Sequence, residues 1–99
     1  MNGELWFEEG EKKIDLSRVT RLYPAAVVHA AGETASVSLE WAEMKSDVVR
    51  VESYVLVCDF DPVGEVPLNR VELRYGTKEE LFTAMEKVSQ ILQGAAQTR

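Results

Sequence analysis

Cys58 and His29 are the single cysteine and single histidine in the chain, and together they are the pair that could carry nucleophilic catalysis. That chemistry needs a thiolate, a base within hydrogen-bond reach and a third group to orient the base. Both fall in strand-like segments, His29 in Val-Val-His-Ala-Ala and Cys58 in the apolar run Tyr54–Phe60, so neighbouring strands could bring them together. No glycine-rich elbow frames either residue. A thiol buried as a small hydrophobe and a strand-end histidine with a satisfied hydrogen bond account for the same residues more simply.

Metal chemistry finds less. A zinc site needs three or four ligands at workable spacing, and one His with one Cys falls short. Asp59-Phe60-Asp61 places alternate carboxylates before a loop containing Pro62, Gly64 and Pro67, as calcium loops do. The further oxygen ligands and the closing Glu are missing, so the two aspartates are expected to solvate a strand end. Val63-Gly64-Glu65 holds a lone glycine, and Lys78 follows no phosphate-loop pattern. No catalytic, cofactor or metal residues are assigned, and no small-molecule substrate is inferred. A non-enzymatic protein is expected.

Two groups of side chains remain for recognition. Trp6 lies on the parity opposite Leu5 and Phe7, between Glu4 and Glu8. If Leu5 and Phe7 face inward, Trp6 is exposed near a sheet edge and could anchor a partner; the reverse parity buries it. Arg18, Arg21 and Tyr23 form a cationic and aromatic cluster beside an irregularity in the strand pattern, a candidate partner-binding patch that solvated surface charge would also explain.

Seventeen acidic against eleven basic residues give a net charge of −6. That field opposes nucleic-acid binding, which draws affinity from cations on phosphates, and docking on anionic lipid. The opening Met1-Asn2-Gly3-Glu4 lacks the positive start and apolar stretch of a secretory signal, so a cytoplasmic location is expected. A single cysteine makes no internal disulfide, leaving packing to hold the fold.

These side chains must be positioned by elements readable from hydrophobic spacing. Leu5 and Phe7 begin an alternation that turns at Glu9-Gly10 and resumes at Ile14 and Leu16. The odd step to Val19 requires a bulge or a single turn. Tyr23-Pro24 marks a break, followed by a short strand over Ala25–Ala30. Thr34 to Trp41 alternates without fault, predicting a strand with Trp41 on its core side. Tyr54–Cys58 is apolar on both parities and belongs at the centre of a sheet, under a helix. Asp61–Asn69 is the longest loop, and Val71, Leu73 and Tyr75 mark the last strand. Thr77-Lys78-Glu79-Glu80 matches a capping box, opening an amphipathic helix expected to stop at Gly94.

The expected fold is α+β: six to seven mainly antiparallel strands, as a sheet or bent barrel, with one C-terminal amphipathic helix. Residues 1–94 form a single domain, and 95–99 a frayed tail. The stretch Val71-Glu72-Leu73-Arg74-Tyr75-Gly76-Thr77-Lys78-Glu79-Glu80-Leu81, a last strand turning tightly into a capped helix, resembles the pleckstrin-homology-like superfold. That resemblance implies a seven-stranded barrel or sandwich capped by the helix. Family members often bind phosphoinositides between the first strands. Here Lys12, Lys13, Arg18 and Arg21 are interspersed with Glu8, Glu9, Glu11 and Asp15, so the lipid role does not carry over. An open antiparallel sheet with the helix on one face satisfies the same pattern.

The functional expectation is a small protein-interaction domain that binds a protein partner or self-associates. The alternative is an acidic inhibitor or immunity-type protein covering a basic site on its partner.

Overall fold

Alternating and doubly apolar segments resolve into six strands and two helices in the computed structural model, which describes residues 5–97. They are β1 (Trp6–Glu9), β2 (Lys12–Asp15), β3 (Arg21–Ala30), β4 (Glu33–Val37), α1 (Leu39–Met44), β5 (Arg50–Asp59), β6 (Arg70–Tyr75) and α2 (Lys78–Gln97). A 3₁₀ turn over Leu16–Arg18 joins the hairpin β1–β2 to β3 and absorbs the odd step in the sequence pattern. The main sheet is antiparallel, in the order β4-β3-β5-β6, and stays open rather than closing into a barrel. The architecture is therefore α+β, with the long helix at the C-terminal end.

Burial follows from which faces are covered. On β5, Leu56 and Cys58 point toward α2 and pack with Leu73, Leu81, Ala84 and Val88, while the hairpin adds Phe7 and Ile14. Val55 and Val57 point to the opposite, open face, where they cluster with Ala25 and Val27. No helix residue belongs to that second cluster, yet Val55 is fully buried. Tyr23 packs against that cluster. Arg74, opposite Val55 in the β5–β6 register, reaches diagonally to Ser53 Oγ at 3.4 Å, so its stem passes beside the valine. Ala26 and Val28, on the helix side of β3, are covered by Ala42 of α1.

Four expectations are corrected. The strand expected over Thr34–Trp41 ends at Val37. Ser38 then caps α1, its Oγ accepting from the Trp41 amide at 3.1 Å. Leu39 and Ala42, at helical spacing, supply the core contact, and Trp41 is 39% exposed rather than core. Pro24 does not break the chain, because β3 runs through it. In β3 the even residues bond toward β4, and β4 reaches only Ala26. The missing N–H of Pro24 therefore faces a side with no neighbouring strand among the described residues, where proline is tolerated. Finally, α2 continues past Gly94 to Gln97. Gly94 is absent from the positive-φ residues, and an interior helical glycine costs only about 1 kcal/mol relative to alanine. The expected frayed tail is thus helical as far as residue 97, and its last two residues lie outside the described ones.

Candidate functional site

Four strands side by side span about 19 Å, whereas one helix covers about 10 Å. α2 lies over β5 and β6 and also meets β1, and the six-residue α1 covers only the Ala26–Val28 part of β3. The other half of β3 therefore has no helix above it among the described residues. There Leu22, Pro24 and Leu56 from the sheet and Met85, Val88 and Leu92 from α2 line a groove of about 340 Å³. Leu22 is 36% and Leu92 41% exposed, so the groove has apolar walls open to solvent. Lys78, Phe82, Met85, Ser89 and Leu92 form one helical stripe, which begins at the ion pair between Lys78 and Glu43 of α1. Phe82 on that stripe is 46% exposed.

Two further concavities among the described residues carry charged side chains, the first mainly polar and the second with an apolar floor of Ala25, Val37 and Val57. One, of about 450 Å³, lies between the hairpin and α2, where Glu9, Arg74, Glu79, Glu80 and Lys87 mix charges of both signs. The other, of about 330 Å³, opens on the far face among Tyr23, Ser36, Ser38, Arg70 and Glu72.

Residues singled out from sequence are distributed over separate surfaces. Trp6 is 37% exposed with Phe7 buried, which decides the parity in favour of the outward position. The Lys13 ammonium sits 4.8 Å from its ring centroid. Arg21 and Tyr23 do meet, with the guanidinium 5.2 Å from the ring centroid on the open face of the main sheet. Arg18 is exposed on the 3₁₀ turn. Only Tyr23 of the four borders the apolar groove, between Leu22 and Pro24. The sequence pattern marks Pro24 as a strand break and does not single out Leu22, while nothing local marks Met85 or Leu92 as uncovered, because only tertiary placement leaves these side chains open.

His29 and Cys58 are far apart. Cys58 pairs with Leu22, seven positions along β3 from His29, or about 23 Å. Their side chains also take opposite faces: Cys58 lies under α2, while His29 Nδ1 is 3.3 Å from Glu52. Asp59 is buried and held by Arg70, with Nε at 2.6 Å and Nη2 at 3.3 Å from the two carboxylate oxygens. Asp61 accepts from the Asn69 amide at 2.8 Å and from its side chain at 3.0 Å, closing the long loop. The backbone bond from Asn69 is the main reason the Asp61 carboxyl is held below its usual range. Both aspartates thus have structural roles. Among the described residues no group of three His, Cys, Asp or Glu is placed to hold a metal ion, and no helix is long and apolar enough to cross a membrane.

Burial, reinforced by the charge of Asp59, pushes the Cys58 thiol up to about 11 from an ordinary value near 9. Burial, then Glu9, pushes the Tyr75 phenol up as well. In both cases folding favours the protonated form, so this stabilisation is complete below the unfolded value and fades as pH rises toward the folded one. For Cys58 the window is pH 9 to 11, with an expected loss on the order of 2–3 kcal/mol. Urea titrations of wild type and Cys58→Ala across that window check it. The variant should show a clearly shallower decline, with the Tyr75 share remaining.

No protein-family model, curated protein or solved structure matches this chain. The case for any function rests on its own surfaces.

Proposed function

We propose that this is a small, non-enzymatic protein-interaction domain whose α2–β3 groove receives the apolar face of a partner protein's helix. The supporting observation is the groove itself. Leu22, Met85 and Leu92 stand around a floor of Pro24, Leu56 and Val88, at the place where a further helix would complete the layer over the sheet. Helix-in-groove recognition uses this geometry: a few large side chains at helical spacing enter an apolar trough. Fully burying one leucine-sized side chain contributes about 1.5–3 kcal/mol, so a few such anchors would supply the main attractive term of the contact. The polar rim of Ser89 and Gln93 would stay wet around those anchors.

A photo-crosslinking residue placed at position 92, in cells that make the protein, tests this directly. The expected result is one discrete adduct, lost when Leu22→Glu is added and absent when the crosslinker sits at position 87 on the other side of α2. The same adduct from both positions, or none from 92, would overturn the reading. An adduct between two copies would reassign the groove to self-association.

A further inference from the structure

We infer that β4 is a pairing edge, through which two copies of the chain join their four-stranded sheets into one continuous antiparallel sheet about a two-fold axis at Ala35. The argument starts from the turn between β3 and β4. Ala31 and Gly32 have φ of +54° and +79°, and Ala30 pairs with Glu33, which defines a two-residue hairpin of the type favoured by strand twist. In such a hairpin the residues flanking the turn exchange both backbone hydrogen bonds, and bonding alternates from there. Glu33, Ala35 and Val37 therefore bond inward to β3. Thr34 and Ser36 turn their N–H and C=O groups outward.

The same alternation can be checked at the far side of the sheet. Carried across β3 and β5, it turns the carbonyl of Glu72 outward from β6, and there Lys12 Nζ donates to that carbonyl at 3.2 Å. The hairpin β1–β2 also ties itself to β6 through Glu9, which accepts from the Tyr75 hydroxyl at 3.2 Å. The β6 edge is thus guarded by a lysine and a neighbouring hairpin, two of the devices that keep sheet edges from pairing. The β4 edge has neither of these two, and its one charge, Glu33, lies at the turn end. Glu33-Thr34-Ala35-Ser36-Val37 contains no Lys, no Pro and no bulge, and no strand among the described residues lies against it.

The outward groups fit a second copy of the same edge. With Ala35 opposite Ala35 of the other copy, Thr34 of each copy meets Ser36 of the other. Both become bonded pairs, so all four outward N–H donors and all four outward C=O acceptors on the two strands find partners. Glu33, the one charge on the strand, falls opposite Val37 and not opposite its own counterpart, avoiding like-charge repulsion. The central side chains brought face to face, Thr34, Ala35 and Ser36, are small, so the backbones can approach. α1 begins two residues beyond β4 and packs on β3 through Ala42. The α2–β3 groove is left free, so this pairing does not depend on the reading of the groove.

Sedimentation over a dilution series from about 5 to about 500 μM is the first measurement. The mass is expected to rise from 11.1 kDa toward twice that value. Hydrogen exchange on the unmodified chain should show the Thr34 and Ser36 amides protected at the concentrated end and exchanging freely at the dilute end. Ser36→Pro removes one outward N–H while leaving the bonds to β3, and should weaken dimerisation at least ~10-fold with the far-UV circular dichroism unchanged. Thr34→Pro, at the other outward position, serves if that variant does not fold. A monomer throughout the series, concentration-independent exchange at both amides, or a dimer that Ser36→Pro and Thr34→Pro leave intact would overturn the inference.

Discussion

Replacing Arg70 by methionine is expected to destabilise the domain by about 3 kcal/mol, near the low end for breaking a buried ion pair. Asp59 is 2% exposed, and the hydrogen bonds to its carboxylate among the described residues come from Arg70. The two residues are directly opposite in the β5–β6 register, so the fork-like guanidinium meets both oxygens from the neighbouring strand. Methionine keeps much of the stem's cover over the sheet but leaves the carboxylate buried without a counter-charge. The Arg70 side chain is one-third exposed, and water reaching it moderates the cost. Two companion variants separate charge from packing. Arg70→Lys should fall between wild type and Arg70→Met, because an ammonium cannot bond both oxygens at once. Asp59→Leu with Arg70→Met should recover most of the loss, since no isolated charge remains. Urea midpoints measured at constant m-value decide the matter, and an Arg70→Met variant as stable as wild type would remove Asp59 from the set of residues that hold β5 to β6.

This pair also shows where sequence reading ends. Asp59 and Asp61 look alike in Asp-Phe-Asp, but one is buried against Arg70 and the other closes a loop on Asn69. Eleven and eight positions separate them from their partners, and nothing local announces either pairing. Where the physics is local, the sequence was readable. The doubly apolar Tyr54–Cys58 run could only lie between two strands, and Thr77 with Glu80 had to start a helix. Thr77 Oγ1 does accept from the Glu80 amide at 3.1 Å, while Glu80 reaches back to the Gly76 amide at 3.0 Å, one residue beyond the expected target. Thr34 to Trp41 misled because alternate apolar positions and i, i+3 positions overlap in so short a stretch. Val37 closes a strand and Leu39 with Ala42 opens a helix, and Ser38 between them serves as strand polarity or helix cap equally well. The groove is the extreme case: Met85 and Val88 belong to the same amphipathic helix, and only the width of the sheet beneath decides which stays open.

That distinction within α2 gives the second large effect. Leu81→Ala is expected to cost about 2–5 kcal/mol, a large share of the 5–15 kcal/mol by which domains are ordinarily stable. Leu81 has no exposed surface and sits in the first turn of α2, packed with Leu56, Leu73 and Tyr75 in the cluster that docks the helix on the sheet. Truncation there removes the transfer energy of three carbons and leaves a cavity that a sheet on one side and a capped helix end on the other cannot easily close. Leu92→Ala removes the same atoms from the same helix, but from a side chain that is 41% exposed on the wall of the groove. Much of that surface is already in water, so the expected cost is under about 1 kcal/mol. Denaturation of both variants side by side compares the two stripes of one helix. If Leu92→Ala proved as costly as Leu81→Ala, Leu92 would be holding the fold and would not be available to a partner. A wide gap between them instead means that a large apolar side chain is kept at the surface with little benefit to stability, which is what an anchor for another protein requires.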